Sequence, residues 1–533
     1  MAGLVFIYGS LSLTIYKSSR RTFLRTSAAF GVGLAMPALS VANSRPRFTH
    51  GVQSGDVDPS SGVIWTRTDR PARVMMDVST TEDFANARRL SPLNALPEAD
   101  NTVKRLLTDL PSDQDIFYRF TAADLSDINT QSEPIIGRFR TAPASKRSIR
   151  FAWSGDTAGQ GWGIDDEGMV TYATIARHDP DFFIHSGDTV YADGPMKDEV
   201  ELKDGSIWKN TTLTDAKRKV AETLDEFRAQ WKYNMMDGHV KAMNATVPTF
   251  VQWDDHEVVD NWSDSKNLMD DDRYSEKSVH MLAARASRAF HEMTPIRFTP
   301  AEPGRVYRKI GYGPLLDVFF VDLRSYRGPN GPSMETEMTD ASRIFGAEQI
   351  AWLKRELGKS KATWKVIAAD MPIGLIVWDD WRQQSGAEAI SNGDSGTPKG
   401  RELEVADLLR FIKNAGVQNT IWLTADVHYT AAHHYDPSRA QFQDFEPFWE
   451  FVSGPLHAGT FGPNALDGTF GPEVKFFKAP AKGQGVNLPP SMGLQFFGLV
   501  DIDGDTEQLT VRLMNRADEQ LWSVTLDPKQ RGN

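Results

Sequence analysis

Phe182-Phe183-Ile184-His185-Ser186-Gly187-Asp188-Thr189-Val190-Tyr191 is an apolar run of strand length that breaks on a Gly-Asp pair. Glycine before the acid lets the chain turn sharply and lets a ligand approach the backbone. The same pattern recurs on both sides of this stretch. Ile149–Ser154 runs into Gly155-Asp156, and Thr249–Trp253 runs into Asp254-Asp255-His256-Glu257. Far along the chain, Thr420–Thr424 runs into Ala425-Asp426-Val427-His428. Further strands are expected at Leu315–Leu323 and Trp364–Ala369, with helices at Asp215–Met236, Ser275–Met293, Ala347–Leu357 and Glu402–Ala415. Apolar strands separated by longer helical stretches predict a layered α/β domain, over residues 148–527. Ligands in such sheets bind beyond the carboxyl ends of the strands. Carboxylates crowded at one rim repel each other unless cations lie between them, and Asp, Tyr and His side chains suit hard or borderline metals.

Ahead of this domain, residues 47–143 read as short strands punctuated by Gly, Pro and Asp, at Gly62–Thr68, Arg73–Thr81, Thr102–Leu110, Ile116–Ala123 and Ile136–Thr141. That spacing predicts a small all-β sandwich of the fibronectin III-like kind. It holds no clustered His and no convergent carboxylates, so it is assigned a packing or positioning role. Pro143-Ala144-Ser145-Lys146 reads as the linker.

The first 42 residues read as an address. Ser19-Arg20-Arg21-Thr22-Phe23-Leu24-Arg25 precedes an uncharged, apolar run that ends on Ser40-Val41-Ala42, the pattern of a twin-arginine signal peptide cleaved before Asn43. This implies passage through the twin-arginine (Tat) export machinery and a periplasmic or extracellular location. Leu4–Tyr16 is short for a bilayer span, and no later segment is apolar enough to be one. Loss of residues 1–42 removes Lys17, Arg20, Arg21 and Arg25 and no acid, so the net charge of −12 becomes −16. Such a balance argues against a stable nucleic-acid partner or an anionic membrane. A phosphate substrate would then need local positive charge, for which bound metal ions are the obvious source. The chain has no cysteine, which excludes disulfides, thiolate ligands and a Cys nucleophile together.

The series Gly-Asp, Gly-Asp-x-x-Tyr, Asp-His-Glu and a late Asp-x-His resembles that of the calcineurin-like metallophosphoesterases. Trp253-Asp254-Asp255-His256-Glu257, Phe345-Gly346 with Gln349 and Trp352-Leu353, and Asp426-Val427-His428 are similar to the PhoD-type branch in particular. The resemblance implies a metallophosphoesterase-type β-sandwich core flanked by helices, behind the smaller sandwich. It also implies an alkaline phosphatase or phosphodiesterase that cleaves small phosphoester substrates by two-metal activation of water. Carried over, Asp156 holds the first metal, Asp188 bridges the two, and Tyr191 binds Fe3+ as a phenolate. Asp255 serves the second metal, for which Ca2+ is implied, and Asp426 and His428 complete the shells. His256 is the implied catalytic group, placed to stabilise the transition state or protonate the leaving oxygen.

Two departures stand out. The first loop lacks the His of an Asp-x-His pattern, and Asp370 falls where many relatives carry a separate His ligand. Arg324 is a candidate to clamp a phosphate oxygen, or else to pair with Asp322. His185 reads as a core histidine, whereas His433, His434 and His457 are candidates to line the cleft. The loops Arg327–Pro332 and Gly454–Pro472 are expected to shape it, with Trp162, Trp378 and Trp381 as an apolar wall or as packing. Monoesters and diesters both remain open, including lipid headgroups (a phospholipase D-like activity) and nucleotides. An inactive secreted binding protein is the remaining alternative, against which the intact ligand set argues.

Replacing both Arg20 and Arg21 by Lys is expected to abolish export, and N-terminal sequencing of exported protein should begin near Asn43. Exported protein that still begins before Ser19 refutes the signal.

Overall fold

The computed structural model describes residues 45–529. The expected signal peptide, residues 1–42, lies outside the described residues.

Two antiparallel sheets make the N-terminal unit. One orders Phe48–Gly55, Gly62–Thr68 and Thr102–Leu107; the other orders Arg88–Ala95, Ala72–Ser79, Asp115–Asp124 and Ile135–Arg140. Strand Asp115–Asp124 shows why: Ile116, Tyr118, Phe120 and Ala122 alternate into the core. Arg119 points the other way, onto Asp77 at 2.9 Å. Two strands were not legible in the sequence. Phe48–Gly55 slips register between Phe48 and Val52, around Gly51 at φ 73°, which breaks the alternation. Arg88–Ala95 is a sheet edge, largely exposed and carrying Pro92, and its core-facing Leu90 and Leu93 are three apart across a register shift, so no alternation reads.

The second unit is built on two larger sheets. One orders Thr249–Gln252, Phe182–Ser186, Ile149–Ser154, Phe496–Ile502, Leu509–Asn515 and Gln520–Leu526. The other orders Arg308–Gly311, Leu316–Phe320, Trp364–Ala368, Thr420–Thr424, Phe448–Val452, Thr430–Tyr435 and Pro472–Lys478. Their inner faces share one core, in which Trp153 meets Phe451 and Phe250 meets Phe320 edge-on. Helices Ala347–Lys359 and Glu402–Asn414 cover the outside of the second sheet. Val170–Arg177, Leu224–Asn234, Gly238–Asn244 and Val279–Met293 cover the first. The expected helix Asp215–Met236 is a short 3-10 turn, Asp215–Arg218, followed by the helix Leu224–Asn234. Thr223 and Glu226 form a capping box that starts the second piece afresh. The strands after His428 were not anticipated, and three of them complete the first sheet on its antiparallel side. No helix among the described residues is long and apolar enough to cross a membrane.

The small sandwich is fused to this body, because Val52, Tyr118 and Phe139 belong to the same buried cluster as Phe151, Tyr312 and Leu316. Polar ties close the seam. Trp65 Nε1 donates to the Glu292 carbonyl at 2.7 Å, and Arg308 grips Asp56 through Nε at 2.8 Å and Nη2 at 2.7 Å. Both partners of that ion pair are buried. Asp56→Ala would leave the Arg308 charge without its partner, and breaking a buried pair in this way costs about 3–5 kcal/mol. A clear fall in the urea midpoint of Asp56→Ala is therefore expected, and an unchanged midpoint refutes this account of the seam.

Candidate metal centre

The parallel strands Ile149–Ser154, Phe182–Ser186 and Thr249–Gln252 of the first sheet, and Thr420–Thr424 of the second, end on one rim. Just beyond them the backbone of Asp156 (φ 65°), Asp188 (φ 50°), Asp426 (φ 67°) and His428 (φ 58°) turns into the left-handed region. Asp tolerates that region better than most residues, and strained positions of this kind cluster at functional sites. The close approach also needs glycine. A Cβ on Gly187 would lie 2.5 Å from that of Asp254, and one on Gly454 would run into the Asp156 carboxylate. The loops are stitched together by Thr157 N donating to the Asp188 carbonyl at 2.8 Å and His457 N donating to that of Asp156 at 3.1 Å. Glu257 ties the next two: its carboxylate accepts from the backbone of Thr189 at 2.6 Å, Asp254 at 2.9 Å and Asp188 at 3.2 Å.

Two groups of donor atoms converge. Asp156, Asp188 and His428 offer atoms within 4.8 Å of one another, and so do Asp188, Asp255 and His256. Asp188 belongs to both. Both oxygens of Asp156 are buried without a hydrogen-bond partner, an arrangement native interiors avoid unless something else sits there. Burial first, and then neighbouring carboxylates, raise Asp156 and Asp188 well above the usual carboxylate range. A cation reverses this logic, because it favours the charged acids that surround it. The donor set is rich in oxygen with one neutral imidazole, which fits hard or borderline cations.

His428 is held as a ligand should be. Its Nδ1 lies 2.5 Å from the Gly459 carbonyl, so it carries the proton and Nε2 is left as the acceptor. Burial pushes this imidazole down to about 3, so it is neutral. Its Nε2 is 2.9 Å from the Tyr191 hydroxyl and 3.7 Å from Asp156. Tyr191 is buried, and burial together with Asp188 and Asp156 raises its phenol well above the ordinary value, so it ionises only against a strong positive charge. The position of the missing Asp-x-His histidine is Ala158, buried beneath the His457 carbonyl. Tyr191 and His428 stand on that side of the centre instead.

His256 lies over the Tyr191 ring at 4.3 Å and is only partly exposed. Its Nδ1 is 2.8 Å from Asp193, whose other oxygen accepts from Asp260 N at 2.7 Å. Burial lowers the basicity of this ring, but Asp193, Asp255 and Asp188 outweigh burial and raise it well above its usual value. Asp193 had no signal of its own in the sequence beyond lying two positions after Tyr191. Glu257 was visible in its motif without a role, and Glu388 had no signal.

Other expected residues fall elsewhere. Asp426 enters neither donor group, although its Oδ2 is buried without a partner. Asp370 is likewise buried outside both groups, against Asp254 and 3.5 Å from Arg324 Nε. Arg324 is not free to clamp a phosphate. Its side chain is fully buried, with Nε donating to Asp254 at 2.6 Å and Nη1 paired with Glu388. Nor does its guanidinium pair with Asp322, which accepts from the backbone N–H of Arg324 and of Ser325 instead. Uncompensated buried acids hold this arginine away from the cleft. His185 sits in the core between Thr157 and Thr189. His433 pairs with Glu450, and His457 Nε2 lies 2.7 Å from the Gly163 carbonyl, so each is satisfied inside the fold. Trp162 packs edge-on to Trp208, while Trp381 is 72% exposed.

The PhoD-like phosphatase family model matches residues 151–513, and the model of that family's N-terminal domain matches residues 33–143. Alkaline phosphatase D of Bacillus subtilis (strain 168) is 27% identical over 461 residues, 81% of this chain and 73% of that protein. A solved structure of PhoD superposes with a TM-score of 0.66 at 22% identity, covering 91% of this chain and 90% of that one. A purple acid phosphatase from yellow lupin (Lupinus luteus) seeds superposes with a TM-score of 0.53 at 13% identity, covering 91% and 74%. These two share the fold.

The raised acids generate a pH dependence. Asp156, Asp188 and Asp426 bind protons more tightly folded than unfolded, so the metal-free fold loses stability as pH rises from the unfolded carboxylate range through their raised values. Bound cations displace those protons and cancel the loss. Chelation is therefore expected to lower the Tm more at about pH 8 than at about pH 5. A chelator effect that is equal at both, or larger in acid, refutes the centre as described.

Proposed function

The chain belongs to the PhoD-like phosphatase family, a family of phosphoric ester hydrolases, and on that premise we propose that its reaction takes place between two cations divided by Asp188. The observation that carries this is the membership of Asp188 in both donor groups. One cation falls to Asp156, Asp188, His428 and the Tyr191 phenol, the other to Asp188 and Asp255 with Asp426 nearby. Fe3+ suits the first, since a buried tyrosine next to two carboxylates ionises only against a highly charged ion. Ca2+ suits the second, whose donors other than His256 are carboxylate oxygens. When bound, such a pair supplies an activated water near neutral pH and neutralises charge on the phosphoryl oxygens.

The rest is done by side chains. Asp193 holds His256 through Nδ1, which leaves Nε2, 3.8 Å from the Asp260 carboxylate, to donate a proton to the departing oxygen. The neighbouring carboxylates keep His256 protonated, and bound cations, by drawing on Asp188 and Asp255, soften that hold. Small phosphoesters are the substrates, and monoesters and diesters both fit this chemistry. Export through the twin-arginine machinery to the periplasm or exterior completes the reading; it rests on Arg20-Arg21 and the apolar run that follows.

Two substitutions separate metal binding from chemistry. Asp188→Asn should lose metal together with turnover, whereas His256→Ala should keep its metal and lose roughly 10²–10⁴-fold in rate. The His256→Ala loss should be smaller for a chromogenic ester with a good phenolate leaving group than for an alkyl ester. Full metal content in Asp188→Asn by elemental analysis refutes the bridging role. Unchanged turnover of His256→Ala on both monoesters and their diester analogues refutes the acid.

A further inference from the structure

Behind the loop that carries Asp255 and His256 lies a second set of acids, Asp254, Asp370 and Glu388, all of them buried. Five carboxylates surround the guanidinium of Arg324. Asp254 accepts from Nε at 2.6 Å and Glu388 pairs with Nη1, while Asp370 lies 3.5 Å from Nε. Asp255 and Asp426 lie 3.7 and 4.0 Å from Nη2. Arg327 helps only at Glu388, 3.1 Å away, and Arg401 spends its donors on the carbonyls of Ala387, Glu388 and Ala389. Even so, one oxygen each of Glu388 and Asp426 is buried without a hydrogen-bond partner, and Asp370 finds only Asp254. This is the donor chemistry of a cation site, and a side chain fills it. Guanidinium is always charged in proteins and is weakly hydrated, so it resides there permanently and need not be acquired.

We propose that Arg324 is a positioning residue that stands in place of a further cation, keeping Asp254, Asp370 and Glu388 from capturing a metal ion and so aiming Asp255 and His256 at Asp188. The connection is covalent and short. Asp254 is fixed on one side by Arg324 and on the other by Glu257, which accepts its N–H at 2.9 Å, and the next two residues are those of the second donor group. Asp255 and Asp426 are left at longer range from the guanidinium and so remain available to the centre. Arg324 touches neither substrate nor reacting atoms. The inference rests on the two-cation reading.

The test compares the parent protein with Arg324→Ala and Arg324→Lys, each purified, loaded with calcium and dialysed. Arg324→Ala is expected to hold one more equivalent of calcium than the parent by elemental analysis. Its Tm should rise with calcium over a range where the parent's does not, with sodium at equal ionic strength as control. Its turnover should fall by about 10–100-fold, the usual effect of removing a group that orients metal ligands, and recover in part with calcium. Arg324→Lys, which keeps the charge, should match the parent in calcium content. A folded Arg324→Ala with parental calcium content and parental calcium response overturns the proposal. If Arg324→Ala folds in neither condition, Arg324→Lys decides: parental calcium content and Tm support the charge, and collapse of both variants overturns it in favour of the shape of the fork. A parent that binds no metal overturns the two-cation reading itself, an outcome visible before any variant is compared.

Discussion

Repulsion among carboxylates buried at one rim is the constraint on which the rest of the molecule depends. Asp156, Asp188, Asp254, Asp255 and Asp370 are all buried there and Asp426 is half-buried, with Glu257 and Glu388 beside them. Charge out of water and beside like charge is doubly disfavoured, so Asp156, Asp188, Asp370 and Asp426 are pushed toward holding protons, whereas His256 and Arg324 hold Asp255 low and Arg324 and Arg327 hold Glu388 low. The protein resolves the conflict in three ways. Glu257 is given backbone donors, Asp254 and Glu388 are given an arginine, and Asp156, Asp188 and Asp255 are left facing one another with donor geometry for cations. The first solution is complete without anything bound; the second still leaves one oxygen of Glu388 without a hydrogen bond, and the third leaves both oxygens of Asp156 so.

The fold supplies the rigidity this arrangement needs. Two sheets share one core and end their parallel strands at the same place, so loops that are remote in sequence meet without long excursions. Left-handed turns at the ligand positions cost conformational energy, and packing on both faces of each strand holds them. The fused N-terminal sandwich extends the same core and supports the far side of helix Val279–Met293 through Trp65. It contributes no side chain to the donor groups, which agrees with its lack of clustered ligands.

His256 shows how one residue is shared between these demands. Its backbone N–H donates to Asp188 at 3.2 Å, its Nδ1 is committed to Asp193, and its ring rests on Tyr191. These contacts leave the ring little rotational freedom, and the remaining nitrogen lies 3.8 Å from the Asp260 carboxylate. Arg324 fixes the same turn from behind, through Asp254.

The sequence by itself determined the parallel strands that carry the acids, the Gly-Asp turns, the four acid-bearing loops and their order, because strand periodicity and glycine turns are local properties of a chain. It also determined that no thiolate takes part, since there is no cysteine. Strands whose partners carry the signal were lost: Arg88–Ala95 at its exposed edge, Phe48–Gly55 at its bulge, and the strands after His428, of which Phe448–Val452 runs parallel to Thr420–Thr424. Only the tertiary structure decided which atoms meet. Tyr191 and His428 are 237 positions apart, and their contact at 2.9 Å exists because two sheets pack face to face. The direction of Arg324 was undecidable for the same reason. An arginine after a strand reaches a phosphate or a buried acid with equal ease, and the choice belongs to Asp254 and Glu388, 70 and 64 positions away, which would otherwise be buried charges without a partner.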